Sequence, residues 1–501
     1  MIQDVERFDL CIVGAGPGGF AGAMRAIDAG RKVCLIEGDE IGGAGVKWGA
    51  LASKTMWELA KDYAVASKTD RGYHSLELKV NYCAVLDTVI EAVKEKQYQL
   101  MSQLETFATG RWKGPGSVTY LKGWASFVDQ GHMAVDLNEG GRRMIAADHF
   151  LLCTGSKPRH FPHVPVDQER ILDSDGILGL KQFPRRLMII GAGVTGCEYA
   201  TIFSNFGQTQ VYLVDHKTKV IPYEDDDVSD FVSRHLELSG VKIFHSTQLR
   251  DIVKKPEHLE VILDFDDGHA SVVEVDTVLV SIGRDPSIRR LKLAAGGIFP
   301  DAAGYLDTDQ HSRVAGTGSV YAAGDVTHRP ALVNMAVMES RHAVKHMFNL
   351  PTFPLYFNNM STVMFFYPAV AAVGLREKQC RRKKIAYRVA TYSNTLLPRA
   401  IAMRAASGFI KIIVSDDESQ KILGMRAAGP QVSSTIMSIA LLIDQDKNAE
   451  DVLRTMFPHP TLSESIQECL RLLVGKSIYK PEAFPDLLKI RRWHPEAGFI
   501  Q

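Results

Sequence analysis

The sequence predicts an α/β fold with two doubly wound parallel sheets and a C-terminal α+β domain, because one βαβ pattern occurs twice and a mixed pattern follows it. Each copy has an apolar strand, a glycine-rich loop, a helix and a second strand that ends in an acid. These elements cover residues 8–13, 14–19, 20–29 and 33–37 in the first copy, and 187–190, 191–196, 197–206 and 211–215 in the second. A strand, helix and strand so connected form neighbouring parallel strands.

Both loops read G-x-G-x-x-G and lie between a strand and a helix, which is the setting of a Rossmann-like dinucleotide-binding loop. The first glycine permits the tight turn, the second lets a pyrophosphate approach the backbone, and the third lets the helix pack on the strand. The acid that binds ribose hydroxyls about 20 residues further on is present in each copy. The candidate nucleotide-binding residues are Gly14, Gly16, Gly19 and Glu37 in the first site and Gly191, Gly193, Gly196 and Asp215 in the second.

The residues around Asp215 leave the choice between NAD and NADP open. A 2′-phosphate would meet the carboxylate of Asp215, which favours NAD. His216, Lys217 and Lys219 follow directly and offer positive charge that would hold the phosphate instead. The alternative is that these three residues form a solvated basic turn.

Charge and cysteine usage narrow the class of protein. The 501 residues include 58 Lys plus Arg and 58 Asp plus Glu, and this balance argues against nucleic acid or an anionic membrane as the main partner. No apolar run has the length of a transmembrane segment, and the first residues lack a signal-peptide core. The seven cysteines are scattered, with no CxxC motif and no close-spaced zinc ligands, so we expect a cytoplasmic protein with reduced thiols and no bound metal.

The remaining segments predict further elements. We expect mainly helix over 55–107, a β-meander over 120–147, strands over 361–366 and 408–414, helices over 432–442 and 462–473, and an extended arm after 475.

Four further motifs resemble those of the pyridine nucleotide–disulfide oxidoreductases. They are residues 151–155 and 280–286, where the chain would leave and re-enter the first domain, the motif 320–325, and the C-terminal motif 459–464. Within that family, residues 47–49, 173–178 and 193–200 are similar to local patterns of the soluble pyridine nucleotide transhydrogenase, with dihydrolipoamide dehydrogenase as the other near branch.

The resemblance implies a homodimer with FAD as cofactor. It implies an FAD-binding domain in two segments, 1–156 and 285–352, around an NAD(P)-binding domain over 157–284. A dimerisation domain over 353–475 and the arm over 476–501 would follow. It also assigns Lys54, Thr154, Gly155 and Asp325 to FAD, and Gly283 to NAD(P).

The chain departs from the family where the redox-active cysteines are expected. Gly45 and Ala50 occupy the two cysteine positions, so no thiol remains there to pass electrons to a disulfide substrate. Lys54 and Glu198 match family positions that form an ion pair beside the flavin, where a cation would stabilise the reduced ring. The alternative is a surface lysine and a helix acid in the first turn, favoured by the dipole.

His459 and Glu464 match the family's general base and the acid that orients it. A capping interpretation is equally available, because Thr461 and Glu464 form a T-x-x-E box that would begin the helix through Leu473. Without the cysteines, the role of His459 is open between protonating an acceptor and simple hydrogen bonding.

These observations predict an FAD-dependent enzyme that takes hydride from NAD(P)H and delivers it to a second acceptor. Another nicotinamide nucleotide is the first choice for that acceptor, which would make the reaction a transhydrogenation. The alternatives are a quinone or dye acceptor, a dihydrolipoyl-dehydrogenase-like enzyme, and a pseudoenzyme that binds FAD and NAD for a structural or regulatory purpose.

Overall fold

The computed structural model describes residues 5–72, 77–357 and 359–500. Within them the strands are β1 (Val5–Val13), β2 (Lys32–Glu37), β3 (Ser117–Asp129), β4 (His132–Leu137), β5 (Arg142–Leu152), β6 (Ser156–Pro158), β7 (Ile171–Asp173), β8 (Arg186–Ile190), β9 (Gln210–Val214), β10 (Lys242–Phe244), β11 (Thr247–Lys254), β12 (Leu259–Phe265), β13 (Ala270–Val275), β14 (Thr277–Val280), β15 (Arg284–Pro286), β16 (Val320–Ala322), β17 (Ser361–Met364), β18 (Val370–Gly374), β19 (Tyr387–Ser393), β20 (Phe409–Ser415), β21 (Ile422–Ala428), β22 (Leu488–His494) and β23 (Gly498–Ile500).

The helices of the same residues are α1 (Pro17–Asp28), α2 (Gly43–Lys47), α3 (Leu51–Ala66), α4 (Tyr82–Thr106), α5 (Val194–Asn205), α6 (Asp226–Leu238), α7 (Val333–Met347), α8 (Glu377–Arg382), α9 (Pro398–Ala402), α10 (Val432–Asp444), α11 (Ala449–Leu453) and α12 (Glu464–Leu473). The chain folds into two compact units. Unit one comprises residues 1–59, 75–183 and 279–355, and unit two comprises 60–74, 184–278 and 356–501.

Unit one is built on a parallel sheet with the strand order β3-β2-β1-β5-β16. The long strands β3 and β5 also pair with β4 in antiparallel fashion, which forms the predicted meander. Alternate residues of β1 are buried on both faces, with Leu10 and Ile12 in one apolar cluster and Cys11 and Val13 in another. Burial on both faces is the general property of parallel strands, and it explains the continuous apolar run in the sequence.

Helix α1 packs closely on α7 because two glycines of α1 lie in the contact. A Cβ on Gly18 would lie 3.1 Å from Oγ of Ser340, and one on Gly22 would lie 2.8 Å from Cδ2 of Leu151 on the sheet. The third glycine of the motif, Gly19, has no room for a Cβ, which would collide with the carbonyl oxygen of Gly14. The glycines therefore fix the position of α1 against the sheet and against α7.

Unit two contains the consecutive parallel strands β10-β9-β8 of the second parallel sheet, and the antiparallel sheet β11-β12-β13. It also contains the seven-stranded antiparallel sheet β17-β18-β21-β20-β19-β22-β23, whose core is shared with α10 and α12. The predicted helices are present, although α1 and α5 each begin three residues earlier than expected because the end of each glycine loop is already helical. Residues 73–76 of the predicted helical stretch 55–107 lie outside the described residues.

The C-terminal tail differs from the extended arm that the sequence predicts. Strand β22 pairs antiparallel with β19, and β23 pairs with β22, so the tail adds two strands to the large sheet. Leu488 is buried, and Trp493 stacks on Tyr387 with ring centroids 5.7 Å apart. The backbone groups of β19 would otherwise form an open sheet edge, and the tail satisfies them.

A buried lysine in unit two lies among three carboxylates. The Nζ atom of Lys411 is 3.0 Å from Asp225, 2.6 Å from Asp227 and 3.2 Å from Glu377, and the Lys411 side chain is fully buried. Burial alone would lower the pKa of Lys411, but the three acids raise it above its ordinary value. These acids have the spacing of a possible metal site, and the ammonium group of Lys411 supplies the positive charge there.

We expect Lys411→Met to destabilise the protein by about 3–5 kcal/mol, because it leaves buried carboxylates without a counter-charge. Chemical denaturation should show this loss as a lower midpoint for the transition that reports unit two. Lys421→Met is the matched control, because the Lys421–Asp446 pair is exposed and should contribute at most about 1 kcal/mol. Equal effects of the two substitutions would contradict the assignment.

Candidate dinucleotide and redox sites

The first glycine loop has the geometry that a pyrophosphate requires. Gly14 has φ +102°, in the left-handed region, and a Cβ there would collide with the carbonyl oxygen of Cys153. Above Gly16 there is open space, since the nearest atom to an ideal Cβ is 4.0 Å away, on Gly43. The loop therefore allows a ligand to approach the backbone at the start of α1, where helix amide groups favour anions.

Glu37 holds the first loop in place. One carboxylate oxygen accepts the amide of Ala15 at 2.7 Å and the other accepts the amide of Asp39 at 2.9 Å. Burial raises the pKa of Glu37, while these amides oppose the rise. The carboxylate of Glu37 therefore stabilises the loop, and it lies where the ribose of a dinucleotide is expected.

The second loop repeats this arrangement in unit two. Gly191 has φ +104°, and no atom lies within 4 Å of an ideal Cβ on Gly193. Asp215 accepts the amide of Ala192 at 2.6 Å and the amide of Lys217 at 2.8 Å. Gly196 is buried in the first turn of α5.

The basic residues after Asp215 are not equivalent. Lys219 forms an ion pair with Asp230 at 2.7 Å, and this hydrogen bond raises the pKa of Lys219. His216 and Lys217 are exposed, and Nδ1 of His216 is 3.3 Å from Asp215. A 2′-phosphate would therefore have to compete with an acid for Lys219, which sequence spacing alone does not reveal.

Asp325 lies directly after β16, at the same carboxyl edge of the sheet as the first glycine loop. Its carboxylate accepts the hydroxyl of Ser156 at 2.6 Å. The preceding residue, Gly324, has φ +76°, and its amide donates to buried Glu339 at 2.8 Å. Glu339 also pairs with Arg329 at 2.7 Å, and burial raises the pKa of Glu339 to about 7. Sequence reasoning missed Ser156 and Glu339, because nothing in the spacing links them to Asp325.

The residues at the first loop fit an FAD molecule. The Oγ1 atom of Thr154 is buried and makes no hydrogen bond within the described residues, so it is available to a ligand. Gly155 has φ +66°, and its carbonyl accepts the amide of Ser287 at 2.9 Å. Gly283 has φ +114°, and its carbonyl accepts the amide of Arg159 at 2.9 Å, so both glycines directly precede the paired strands β6 and β15. A dinucleotide with a polyhydroxy chain would use three of these features: the space at Gly16, the unpaired hydroxyl of Thr154 and the oriented carboxylate of Asp325.

No thiol replaces the missing cysteine pair. A Cβ on Gly45 would lie 2.5 Å from Cγ of Pro17, so a side chain there would require α2 to shift. Cys153 is adjacent in sequence to Thr154, but burial raises its pKa to about 12. Cys11 and Cys34 are neighbours on β1 and β2 and are fully buried, and burial also raises the pKa of Cys34. A thiol with so high a pKa is a poor nucleophile at neutral pH.

Lys54 belongs to unit one and Glu198 to unit two. The Nζ atom of Lys54 lies 3.3 Å from Oγ of Ser53 on α3. Glu198 is buried on α5, and its carboxylate accepts the amide of Phe365 at 3.0 Å. It lies beyond the first turn of α5, so it is not the first-turn acid of the alternative interpretation. The ion pair between them stays a prediction.

His459 and Glu464 do lie together. Nδ1 of His459 is 2.7 Å from one oxygen of Glu464, and the amide of Thr461 donates to the other at 2.7 Å. The hydroxyl of Thr461 donates to Pro458 instead, so only half of the predicted capping box is formed, and α12 begins at Glu464. His459 is 65% exposed, and with its Nδ1–H bound to the carboxylate the neutral ring keeps its lone pair on Nε2.

Comparison with known proteins gives consistent matches along the chain. Residues 8–340 match the family model described as pyridine nucleotide-disulphide oxidoreductase, and residues 360–470 match the dimerisation domain of that family. Dihydrolipoyl dehydrogenase 3 of Pseudomonas aeruginosa is 31% identical over 488 residues, covering 95% of this chain and 99% of the relative. Dihydrolipoyl dehydrogenase of Bacillus subtilis is 28% identical, covering 94% and 97%.

Solved structures of known proteins also match the chain over most of its length. LpdA from Mycobacterium tuberculosis superposes with a TM-score of 0.84 at 26% identity, covering 94% of this chain and all of that structure. The flavoprotein disulfide reductase RclA from Escherichia coli has a TM-score of 0.82 at 23% identity with the same coverage, which supports the fold alone. The predicted fold class is thus confirmed, with two Rossmann-like dinucleotide-binding domains and a C-terminal dimerisation domain. Among the described residues, the helices lack a segment of the length and apolarity that crossing a membrane requires.

With its family model matched over more than half of its length, this chain belongs to the pyridine nucleotide-disulphide oxidoreductases.

Proposed function

We propose that this protein is an FAD-dependent NAD(P)H oxidoreductase, similar in fold to dihydrolipoyl dehydrogenase, that reduces a small-molecule acceptor without a redox disulfide. The observation that carries the proposal is the presence of Gly45 and Ala50 where the family has its cysteines. Support comes from the high pKa of buried Cys153 and from the scattered positions of the other thiols. Electrons would then pass between nucleotide, flavin and acceptor without sulfur.

The residues have distinct parts in this proposal. The first loop, with Gly14, Gly16, Gly19 and Glu37, would hold the FAD pyrophosphate and adenosine ribose, and Thr154 and Asp325 would bind the flavin half. When bound, FAD supplies a ring that accepts hydride and releases electrons in a separate step. The second loop and Asp215 would hold NAD(P)H, and Lys54 would place a positive charge near the ring, with Glu198 as its partner.

The acceptor is proposed to be a quinone or a similar dye-like compound, a diaphorase-type reaction. The named relatives are dihydrolipoyl dehydrogenases, which supports a dihydrolipoyl-dehydrogenase-like protein over the transhydrogenase that the local sequence patterns suggested. Because Gly45 and Ala50 replace the cysteine pair, a quinone-like acceptor is favoured over a disulfide. Transhydrogenation stays as a second candidate because it needs no further binding site, since two nucleotides would use the loop of Asp215 in turn. A homodimer is part of the proposal, supported by the match to a dimerisation domain.

Purified protein is expected to be yellow and to be bleached by NADH or NADPH in the absence of oxygen. An acceptor screen should then show reoxidation by quinones or by a nucleotide analogue, and none by lipoamide. Alkylation of the accessible thiols should leave turnover unchanged, and Cys83→Ser is the control because Cys83 is the exposed cysteine of the described residues. A colourless protein, a flavin that stays oxidised with excess nucleotide, or lipoamide turnover that alkylation abolishes would contradict the proposal.

Asp215→Asn is expected to weaken NADH use by roughly 10-fold or more, because the charged hydrogen bond to the ribose is lost. NADPH use should be preserved or improved, since the repulsion of a 2′-phosphate is removed. The measurement is kcat/KM for both nucleotides with one acceptor, and Lys219→Ala is the control, because Lys219 is engaged with Asp230. A parallel fall with both nucleotides would show that Asp215 does not select between them.

His459→Gln tests whether His459 relays protons. We expect slower quinone reduction, about 10²-fold where proton transfer limits the rate, while hydride transfer from the nucleotide in stopped-flow experiments stays unchanged. Glu464→Gln should give a smaller loss, because its amide oxygen still accepts from Thr461. Turnover of His459→Gln equal to the unaltered protein would remove His459 from the mechanism.

A further inference from the structure

Ser156 connects Asp325 to the paired strands β6 and β15 of unit one. Strand β6 begins at Ser156 and pairs antiparallel with β15, which begins at Arg284. The hydroxyl of Ser156 donates to Oδ2 of Asp325 at 2.6 Å and accepts from Nε of Arg284 at 2.8 Å. The three side chains thus form one hydrogen-bonded chain at the carboxyl edge of the sheet.

The direction of this chain is fixed by chemistry. An arginine side chain has donors and no acceptor, so the Ser156 oxygen must be the acceptor in its contact with Arg284. A serine hydroxyl has a single proton, and that proton is therefore directed to Asp325. The carboxylate of Asp325 therefore faces a hydrogen-bond donor.

Arg284 is itself held from three sides. Its Nη2 donates to the carbonyl of Ser156 at 2.8 Å, and its Nη1 lies 3.2 Å from both Asp175 and Ser174. The Arg284 side chain is 27% exposed, so it is partly withdrawn from water. A guanidinium held by this many partners gives the Ser156 hydroxyl one orientation.

The backbone beside Asp325 is fixed as well. Gly324 lies in the left-handed region, and its amide donates to buried Glu339. One side of Asp325 is therefore held through the main chain and the other through Ser156. A carboxylate bound through one oxygen keeps further acceptor sites, which suit the hydroxyl groups of a polyhydroxy chain.

We propose that Ser156 and Arg284 are positioning residues for Asp325, which they orient toward the ribityl hydroxyls of FAD. The inference rests on the proposed function, because it assigns the ligand of Asp325 to the flavin half of that cofactor. The adenosine half would be held by other residues, the first glycine loop and Glu37. The positioning role therefore predicts a selective effect on the flavin half.

The experiment uses the full-length protein, stripped of flavin and reconstituted, and compares FAD with ADP. ADP carries the adenosine half alone and would not reach Asp325. We expect Ser156→Ala to weaken FAD binding roughly 10- to 100-fold, the range for a hydrogen bond to a charged group, with ADP binding unchanged. Ser156→Thr keeps the hydroxyl and should restore FAD binding. Ser174→Ala is the matched control, because it removes a contact of Arg284 that is distal to Ser156 and leaves the Ser156–Asp325 bond in place.

Stability measurements separate positioning from a general structural role. If Ser156 orients Asp325, FAD should raise the melting temperature of Ser156→Ala less than that of the unaltered protein, while the two flavin-free forms melt within a few degrees of each other. FAD binding by Ser156→Ala equal to the unaltered protein, or equal weakening of FAD and ADP, would overturn the inference. Unaltered protein that binds ADP and not FAD would instead refute the proposed function, and the inference with it.

Discussion

The same acid–amide hydrogen bond holds both glycine loops, and the candidate sites depend on it. The carboxylate of Glu37 accepts the amide of Ala15, and the carboxylate of Asp215 accepts the amide of Ala192. Each donor amide lies in the glycine loop of its βαβ unit. The bond ties the end of the second strand to the residue after the first glycine. It keeps the loop open at Gly16 and Gly193, where a Cβ would meet no close neighbour. Each acid therefore has a structural part in its loop that does not depend on a bound nucleotide.

The remaining cysteines of the chain are mostly buried, and they do not replace the missing redox pair. Six of its seven cysteines are buried, and burial raises the pKa of several of them, Cys153 and Cys34 included. They act as small apolar residues of the core, with no thiolate available near Thr154. Thr154 has a buried hydroxyl, and the carboxylate of Asp325 accepts from Ser156, two features that suit the proposed cofactor. These features support the proposal that electrons pass between a flavin and the acceptor without a thiol.

Local patterns in the sequence predict the parts of this fold that depend on neighbours in the chain. The glycine loops, the helices after them and the meander follow from spacing and apolar periodicity, and they lie where expected. The strands of the C-terminal tail were not predictable, because β22 forms only by pairing with β19, about a hundred residues away in sequence. The contacts of Lys411 and of Ser156 depend in the same way on distant side chains. The sequence therefore predicts a candidate cofactor loop readily. It does not show which distant residues orient the groups of that site.

The His459–Glu464 pair is present although the chain lacks the redox cysteines with which the family uses such a pair. Glu464 accepts the amide of Thr461 at the start of α12, so it has a structural purpose whether or not a thiol is present. His459 has no such purpose, since its ring is 65% exposed and its hydrogen bond is to Glu464. The carboxylate of Glu464 holds the imidazole through Nδ1, which leaves Nε2 as the ring nitrogen for another partner. That arrangement is suited to proton exchange with an acceptor, and it does not require a cysteine for its geometry.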